Sequence, residues 1–180
     1  MPTTITGTDG VSQVQTGAVE SGDLPAGSVI QVVQGSTNTE VASTSGNFID
    51  VGLSASISPK SASSTLLIVA NFDLHSRVNQ NFSDVQSDTR LVNETTGDVL
   101  NSAGHVNRAG SDSTKITLQV PVSITSIENS GSTSSRTYKM QVRTQNSNYN
   151  LVFNPQFFYR DESGNQRSAE AYLTIMEIAG

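Results

Sequence analysis

Strict alternation of apolar and polar side chains over residues 116–124 limits this chain to a β-fold more firmly than any other feature. The apolar side chains recur at every second position: Ile116, Leu118, Val120, Val122 and Ile124. Because successive side chains of a strand point to opposite faces, the pattern predicts a strand with one face in a core and one face in water. Pro121 has no N–H to donate, so we expect this strand to lie at a sheet edge or to carry a bulge.

Two other segments are apolar on both faces of the strand that they predict. Residues 66–70 read Leu-Leu-Ile-Val-Ala, and large apolar side chains occupy both sets of alternate positions in residues 172–178. Such runs are typical of strands that are covered on both sides. We therefore expect both strands to lie between the core and a neighbouring subunit. The candidate interface residues are Leu67, Val69, Leu173 and Ile175.

The rest of the chain predicts short strands separated by turns, with no amphipathic helix of useful length. Turn-forming residues cluster between the apolar segments, as in 35–38, 94–97 and 129–132, and Asn154 with Pro155 predicts a bend. The arrangement predicts an all-β fold, an antiparallel two-sheet sandwich that is jelly-roll-like. The further predicted strands are 28–34, 40–43, 48–51, 53–58, 85–92, 98–100, 138–143, 149–153 and 157–160.

The first 27 residues differ from the rest because their apolar side chains are few and widely spaced. Ordering a backbone costs about 1 to 2 kcal/mol per residue, which so little apolar surface does not offset. The segment is either a flexible N-terminus or an extended arm that becomes ordered on a partner, and we favour the arm. We divide the chain into an anchor arm, 1–27, and a sandwich domain, 28–180. The candidate anchor residues are Ile5, Val11, Val14, Val19 and Leu24.

Composition excludes several kinds of partner. Charged residues make up 14% of the 180 residues, the formal net charge is −6, and the Lys and Arg residues are scattered singly. A nucleic-acid partner is not expected, because phosphate binding needs clustered basic side chains. The chain has no Cys, no signal sequence and no apolar stretch close to the roughly 18 residues of a membrane span. We expect no disulfide, no membrane partner and no cofactor.

Patterns for catalysis and for metal binding are weak. The two histidines, His75 and His105, belong to no recognisable catalytic or metal-binding motif. We therefore expect a protein that is not an enzyme and that holds no metal. A carbohydrate-active enzyme is the remote alternative, because glycoside cleavage needs paired carboxylates. The carboxylates for that alternative are Asp73, Asp84, Asp88 and Glu94.

Several segments resemble one class of viral protein. Residues 5–17 read ITGTDGVSQVQTG, residues 23–33 read DLPAGSVIQVV, and 48–51 (FIDV), 53–59 (LSASISP) and 173–178 (LTIMEI) follow. In this order they resemble small structural and fibre proteins of tailed bacteriophages, particularly phages of aquatic bacteria. The resemblance implies a homotrimeric β-sandwich on the virion that has no catalytic residue. We expect the N-terminal arm to attach it to other virion proteins. It implies either a tail-fibre or tip module that contacts the host, or a capsid decoration protein or head fibre.

Polar residues dominate two further segments, 71–88 and 101–113, which we expect to form loops. Hydroxyl and amide side chains suit hydrogen bonds to the glycans of a host surface, and they suit simple solubility equally well. On the fibre interpretation these loops contact the host. The candidate host-contact residues are Asn79, Asn81, Asp84 and Asn107.

Overall fold

The computed structural model describes residues 23–78, 84–108, 117–145, 149–154 and 170–180. The described residues contain ten β-strands and no α-helix. All strand pairings among them are antiparallel. The strands are β1 (Val29–Thr37), β2 (Val41–Ser43), β3 (Ile49–Ile57), β4 (Thr65–Val78), β5 (Asp84–Asn93), β6 (Val99–Arg108), β7 (Thr117–Asn129), β8 (Arg136–Thr144), β9 (Tyr149–Phe153) and β10 (Ala171–Ile178).

These strands form two sheets. In the first sheet the order is β1-β10-β4-β9-β2, and β7 pairs with the other side of β4. Strand β4 has 14 residues, so β10 pairs with its first half, β9 pairs with its second half, and β7 runs beside almost its whole length. The second sheet has the order β3-β8-β5-β6. The sheets pack face to face around one core, so the prediction of an all-β antiparallel sandwich is confirmed.

Alternate side chains of both sheets build that core. Strand β3 shows the clearest alternation, because Val51, Leu53 and Ile57 are buried while the residues between them are exposed. On the facing sheet, the rings of Phe72 and Phe153 lie 5.2 Å apart between centroids. Alternation read from the sequence therefore identifies the inward face of most strands.

The predicted interface residues lie on two different faces of the first sheet. Leu173 and Ile175 each have 0% of their surface exposed and belong to the core of the single chain. They present no surface to a second copy, so the prediction that they lie at a subunit interface is wrong. Leu67 and Val69 lie on the opposite, half-buried face. The reason is that a strand with two apolar faces does not itself indicate which face turns inward.

The loops predicted at 71–88 and 101–113 are wrong over much of their length. Strand β4 continues to Val78, β5 begins at Asp84, and β6 continues to Arg108. Polar side chains make β5 difficult to recognise from the sequence, because its Ser87 and Thr89 occupy buried positions where core strands usually carry aliphatic residues.

Three local predictions concern turns and edges. The two strands predicted at 48–51 and 53–58 form one strand, β3, with a register shift at Gly52, whose φ of 73° favours glycine. Among the described residues β7 pairs with β4 alone, and Pro121 lies opposite Asp73 with no shift in register. The prediction of an edge strand is therefore confirmed. The predicted bend is present at Asn154, which has a φ of 53°.

Two inward-facing glutamates close one end of the sandwich. Glu177 on β10 and Glu128 on β7 flank Leu66 of β4 in a single cross-strand row. Glu128 reaches the second sheet, where it accepts hydrogen bonds from Tyr138 Oη at 3.0 Å and from Arg136 Nη1 at 2.9 Å. Burial, and then the neighbouring Glu128 carboxylate, raise the pKa of Tyr138 to about 12. The two sheets are thus joined at this end by polar contacts as well as by packing.

Glu177 is held by the segment that joins β3 to β4. Its carboxylate accepts hydrogen bonds from the Lys60 N–H at 2.8 Å, the Ser61 N–H at 3.1 Å and Ser64 Oγ at 2.6 Å. Gln31 Nε2 donates a further hydrogen bond at 2.6 Å. The side chain has no exposed surface, so these donors replace the water that the carboxylate loses on folding.

Candidate functional site

The outer face of the first sheet carries no charged side chain over a block of four strands. The block contains four residues from each of β1, β10, β4 and β7, aligned by the strand register into four rows. We call it the uncharged face. Its rows are Val29, Ile178, Thr65, Asn129; Val32, Met176, Leu67, Ile127; Gln34, Thr174, Val69, Thr125; and Ser36, Tyr172, Asn71, Ser123.

One row of this face is apolar from edge to edge. Val32, Met176, Leu67 and Ile127 lie side by side on consecutive strands. Val32 is 56% exposed and Ile127 is 70% exposed, and both are among the most exposed large hydrophobic residues of the described chain. Single exposed apolar residues are ordinary on protein surfaces, whereas contiguous apolar surface is typical of sites that bind other proteins.

The size of the uncharged face is compatible with an interface between proteins. Four strands spaced by about 4.8 Å and seven residues of about 3.4 Å each give a flat area of roughly 450 Å². A stable interface buries about 800 Å² on each partner. The uncharged face therefore supplies more than half of such an interface, and the surrounding rim must supply the rest.

The outer face of the second sheet is charged instead. Lys139 Nζ on β8 contacts Asp50 Oδ2 at 2.9 Å and Glu94 Oε1 at 2.8 Å. Burial alone raises the pKa of Asp50, but hydrogen bonds from Gln141 and Lys139 outweigh burial, so the pKa lies below its ordinary value. Ion pairs this exposed contribute little to stability. Their importance is that they leave this face hydrated.

A groove of about 390 Å³ lies beside these ion pairs. Phe48, Arg90, Arg143, Asp88 and Gly104 line it, and we call it the Phe48 groove. The guanidinium carbon of Arg90 lies 3.9 Å from the centroid of the Phe48 ring, and that of Arg143 lies 4.6 Å from it. Both distances are within the range of attraction between a cation and an aromatic ring.

The remaining sequence-predicted residues do not form one site. His75 lies on β4 of the first sheet and His105 on β6 of the second sheet. The part of the chain that the structure describes contains no group of three His, Asp or Glu residues arranged to hold a metal. Asp88 is ion-paired with Arg143 at 2.7 Å, and Glu94 is ion-paired with Lys139.

Two of the predicted host-contact residues lie on one hairpin. Asp84 pairs with Arg108, and Asn107 pairs with Val85, at the open end of the β5–β6 hairpin. The same hairpin carries the Asp88–Gly104 pair of the Phe48 groove. Asn79 and Asn81 lie outside the described residues.

Of the predicted anchor residues, only Leu24 falls within the described residues, where it is half-buried. The Gly27 N–H donates a hydrogen bond to Ala179 O at 2.8 Å. The chain thus enters the sandwich beside the C-terminal end of β10, next to the row of Val29 and Ile178. Ile5, Val11, Val14 and Val19 lie outside the described residues.

Sequence reasoning missed the Phe48 groove. Its aromatic ring and its arginines come from the start of β3, from β5 and from β8, which are far apart in the chain and adjacent only in the second sheet. One signal was present, because Lys139, Gln141 and Arg143 form the polar half of the alternation in residues 138–143. That signal predicts a hydrated face and does not predict a groove.

Comparison with known proteins gives no family. No family model matches the chain, and no curated protein is similar to it. A crystal structure of an infectious bursal disease virus VP2 subviral particle is 14% identical with a TM-score of 0.33, covering 83% of this chain and 33% of that chain. A structure of the Gt strain of the same virus is 14% identical with a TM-score of 0.32, covering 100% of this chain and 43% of that chain.

An arabinose-bound GH51 α-L-arabinofuranosidase is also similar, at 10% identity and a TM-score of 0.24, covering 87% of this chain and 24% of that chain. The chain thus spans less than half the length of each of these proteins. TM-scores this low carry no argument about function. Within the described residues, no helix is long and apolar enough to span a membrane.

Proposed function

We propose that this protein is a non-enzymatic structural component of a tailed-bacteriophage virion, a homotrimeric fibre or tip module. The observation that carries the proposal is the apolar row of the uncharged face, Val32, Met176, Leu67 and Ile127. Covering such a row with a second copy removes apolar surface from water, which is worth about 25 cal/mol for each Å². The number of copies, three, and the phage context come from the resemblance in sequence.

The contrast between the two outer faces supports the direction of assembly. The uncharged face has no charge to desolvate, so burying it costs less free energy than burying a charged face, and its hydroxyl and amide groups need hydrogen-bond partners across the interface. The opposite face carries Asp50, Glu94 and Lys139 in exposed ion pairs, and burying those groups is costly. The copies therefore meet through the first sheet, and the second sheet faces the medium.

The anchor arm, residues 1–27, attaches the trimer to other virion proteins in this proposal. Its described end lies at the Ala179 end of β10, beside the uncharged face. The arms of assembled copies accordingly leave from neighbouring positions. The second sheet, with the β5–β6 hairpin, remains available for contact with the host surface.

Analytical ultracentrifugation of substituted proteins tests the assembly. Ile127→Lys and Met176→Lys each place a charge in the apolar row, and we expect them to convert trimers to monomers with unchanged circular dichroism. The matched control is Val99→Lys, because Val99 is 50% exposed on the second sheet. A trimer that persists in both row variants would contradict the proposed interface.

Antibody labelling of intact virions tests the location. The fibre or tip proposal expects label on the tail, and label over the head indicates a decoration protein or head fibre instead.

Incubation of the purified protein with host polysaccharide tests the absence of enzymatic activity. If the protein shortens the polysaccharide, and Asp84→Asn or Asp88→Asn abolishes the shortening, the enzymatic alternative is established.

A further inference from the structure

We propose that the Phe48 groove binds a saccharide that carries a carboxylate, such as a uronic acid unit of a surface glycan. The inference names a ligand class for the host-contact part of the proposed function, and it rests on that function for the source of the saccharide. Binding itself follows from the side chains of the groove and is measured on the purified protein.

Each arginine of the groove uses only part of its guanidinium group for hydrogen bonds within the described chain. Arg90 uses Nε to donate a hydrogen bond to Gln141 Oε1 at 2.7 Å, and Arg143 uses Nε to donate to Asp88 Oδ2 at 2.7 Å. In the described part of the chain the terminal Nη atoms of both arginines donate no hydrogen bond. These donors match a carboxylate, which arginine binds through two parallel hydrogen bonds.

The two arginines of the groove are already held in place. Their guanidinium groups pack against one ring, that of Phe48, and each is fixed at Nε by a partner on a neighbouring strand. A free arginine loses considerable side-chain freedom when it binds a ligand, and an arginine held in this way loses less. The groove is therefore organised before a ligand arrives.

The charge of the groove lining is opposite in sign to that of the whole chain. The groove lining contains Arg90, Arg143 and Asp88 as its charged residues, so its net charge is +1, whereas the chain has a formal net charge of −6. Beside the lining, Lys139 pairs with both Asp50 and Glu94, and these three residues together carry a net charge of −1. The two arginines are nevertheless the cations that face the groove itself. A ligand with a single carboxylate complements the lining.

The shape of the groove and its neutral polar groups suit a sugar. Gly104 has no side chain and leaves the floor beside Asp88 open. Ser102 and Gln145 also line the groove. Ser102 offers a hydroxyl to sugar hydroxyls, and Gln145 offers its amide oxygen, since its Nε2 already donates to Asp88 at 3.3 Å. A volume of about 390 Å³ lies at the lower end of the range for small-molecule sites, which suits one or two sugar rings.

Titration followed by two-dimensional NMR of the purified protein tests the inference. The probes are D-glucuronate, D-glucose as the uncharged sugar, and acetate as the carboxylate without a ring. We expect glucuronate to bind with a Kd on the order of 1 mM and to shift the amide signals of residues 102–104. Glucose and acetate should each bind at least about tenfold more weakly.

Substitutions assign the binding to the groove. Arg90→Gln and Arg143→Gln should each weaken glucuronate binding by about tenfold or more. Arg136→Gln is the matched control, because Arg136 pairs with Glu128 at the end of the sandwich and lies outside the groove. If the arginine variants lose their fold, Gly104→Val provides a second test, since it fills the floor and keeps both arginines.

Three results would each overturn the inference. They are no glucuronate binding at about 20 mM, equal affinity for acetate and glucuronate, and undiminished binding in folded Arg90→Gln and Gly104→Val proteins. The groove and the uncharged face lie on opposite sheets. A monomeric protein that binds glucuronate therefore contradicts the proposed trimer and leaves the proposed saccharide site standing. A trimer that does not bind glucuronate contradicts the saccharide site and leaves the trimer standing.

Discussion

Glu177 shows how one carboxylate fixes a connection between strands. Its four donor groups come from β1 and from the segment that joins β3 to β4, so the side chain links both to β10. The usual expectation for a β-strand is that inward positions are apolar, and Glu177 departs from it only because every lone pair is engaged. Substituting the Glu177 carboxylate should therefore lower the stability of the fold more than the small size of this group suggests.

We predict that Glu177→Gln lowers the free energy of unfolding by about 2 to 4 kcal/mol. Glutamine keeps the size of the side chain but replaces one acceptor oxygen by an NH₂ group, which faces the Lys60 N–H whichever oxygen it replaces. Urea denaturation measures the change. Glu94→Gln is the control, since the Glu94 side chain is 49% exposed, and it should change stability by less than about 1 kcal/mol. Equal effects of the two substitutions would contradict this account of Glu177.

Glu177 also makes stability depend on pH. Burial raises its pKa, but the hydrogen bonds from Ser64, the Lys60 N–H and Gln31 outweigh burial and hold the pKa below its ordinary value of 4.5. The unfolded chain then binds the proton more tightly, so the contribution is complete above the ordinary value and is lost as pH falls through the folded pKa. In urea denaturation between about pH 6 and about pH 3, the free energy of unfolding should fall more steeply for the wild type than for Glu177→Gln.

At the scale of elements, β1 approaches β3 too closely for a side chain at one position. A Cβ added to Gly35 would lie 1.9 Å from the backbone oxygen of Ser54, whereas one added to Gly46 would meet nothing closer than 3.9 Å. We predict that Gly35→Ala lowers the free energy of unfolding by about 1 to 3 kcal/mol, because one strand must move. Gly46→Ala is the control. Thermal unfolding of both variants measures the difference, and a neutral Gly35→Ala would show that the approach is not close.

The sequence predicts strands best where their side chains alternate between apolar and polar. Strands β3, β7 and β8 show the expected inward and outward faces. Strand β5 is harder to predict, because the buried hydroxyls of Ser87 and Thr89 replace aliphatic side chains. For β10 the sequence predicts that Leu173 and Ile175 face a neighbouring subunit, whereas both lie in the core, because a strand with two apolar faces is oriented only by what packs on it. The Phe48 groove depends on pairing between distant strands, which alternation within one strand does not encode.

At the scale of the whole molecule, the two outer faces have opposite character. The first sheet presents the uncharged face, and the second presents ion pairs and the Phe48 groove. Such a division is expected of a subunit that is covered on one side by its own copies and wetted on the other. In the proposed assembly, part of the apolar burial takes place between chains, which is consistent with a hydrophobic content as low as 34%.

The absence of cysteine permits a direct test of this division. Val32→Cys and Val99→Cys each introduce a single thiol, on the first and second sheet respectively, at positions that are 56% and 50% exposed in one chain. In the assembled protein we expect Val32→Cys to react with a maleimide at least about tenfold more slowly than Val99→Cys, because the reactive thiolate must be accessible. Adding Ile127→Lys should remove that difference by separating the copies. Equal labelling rates in assembled trimers would mean that the copies meet elsewhere, and the apolar row would then need another partner.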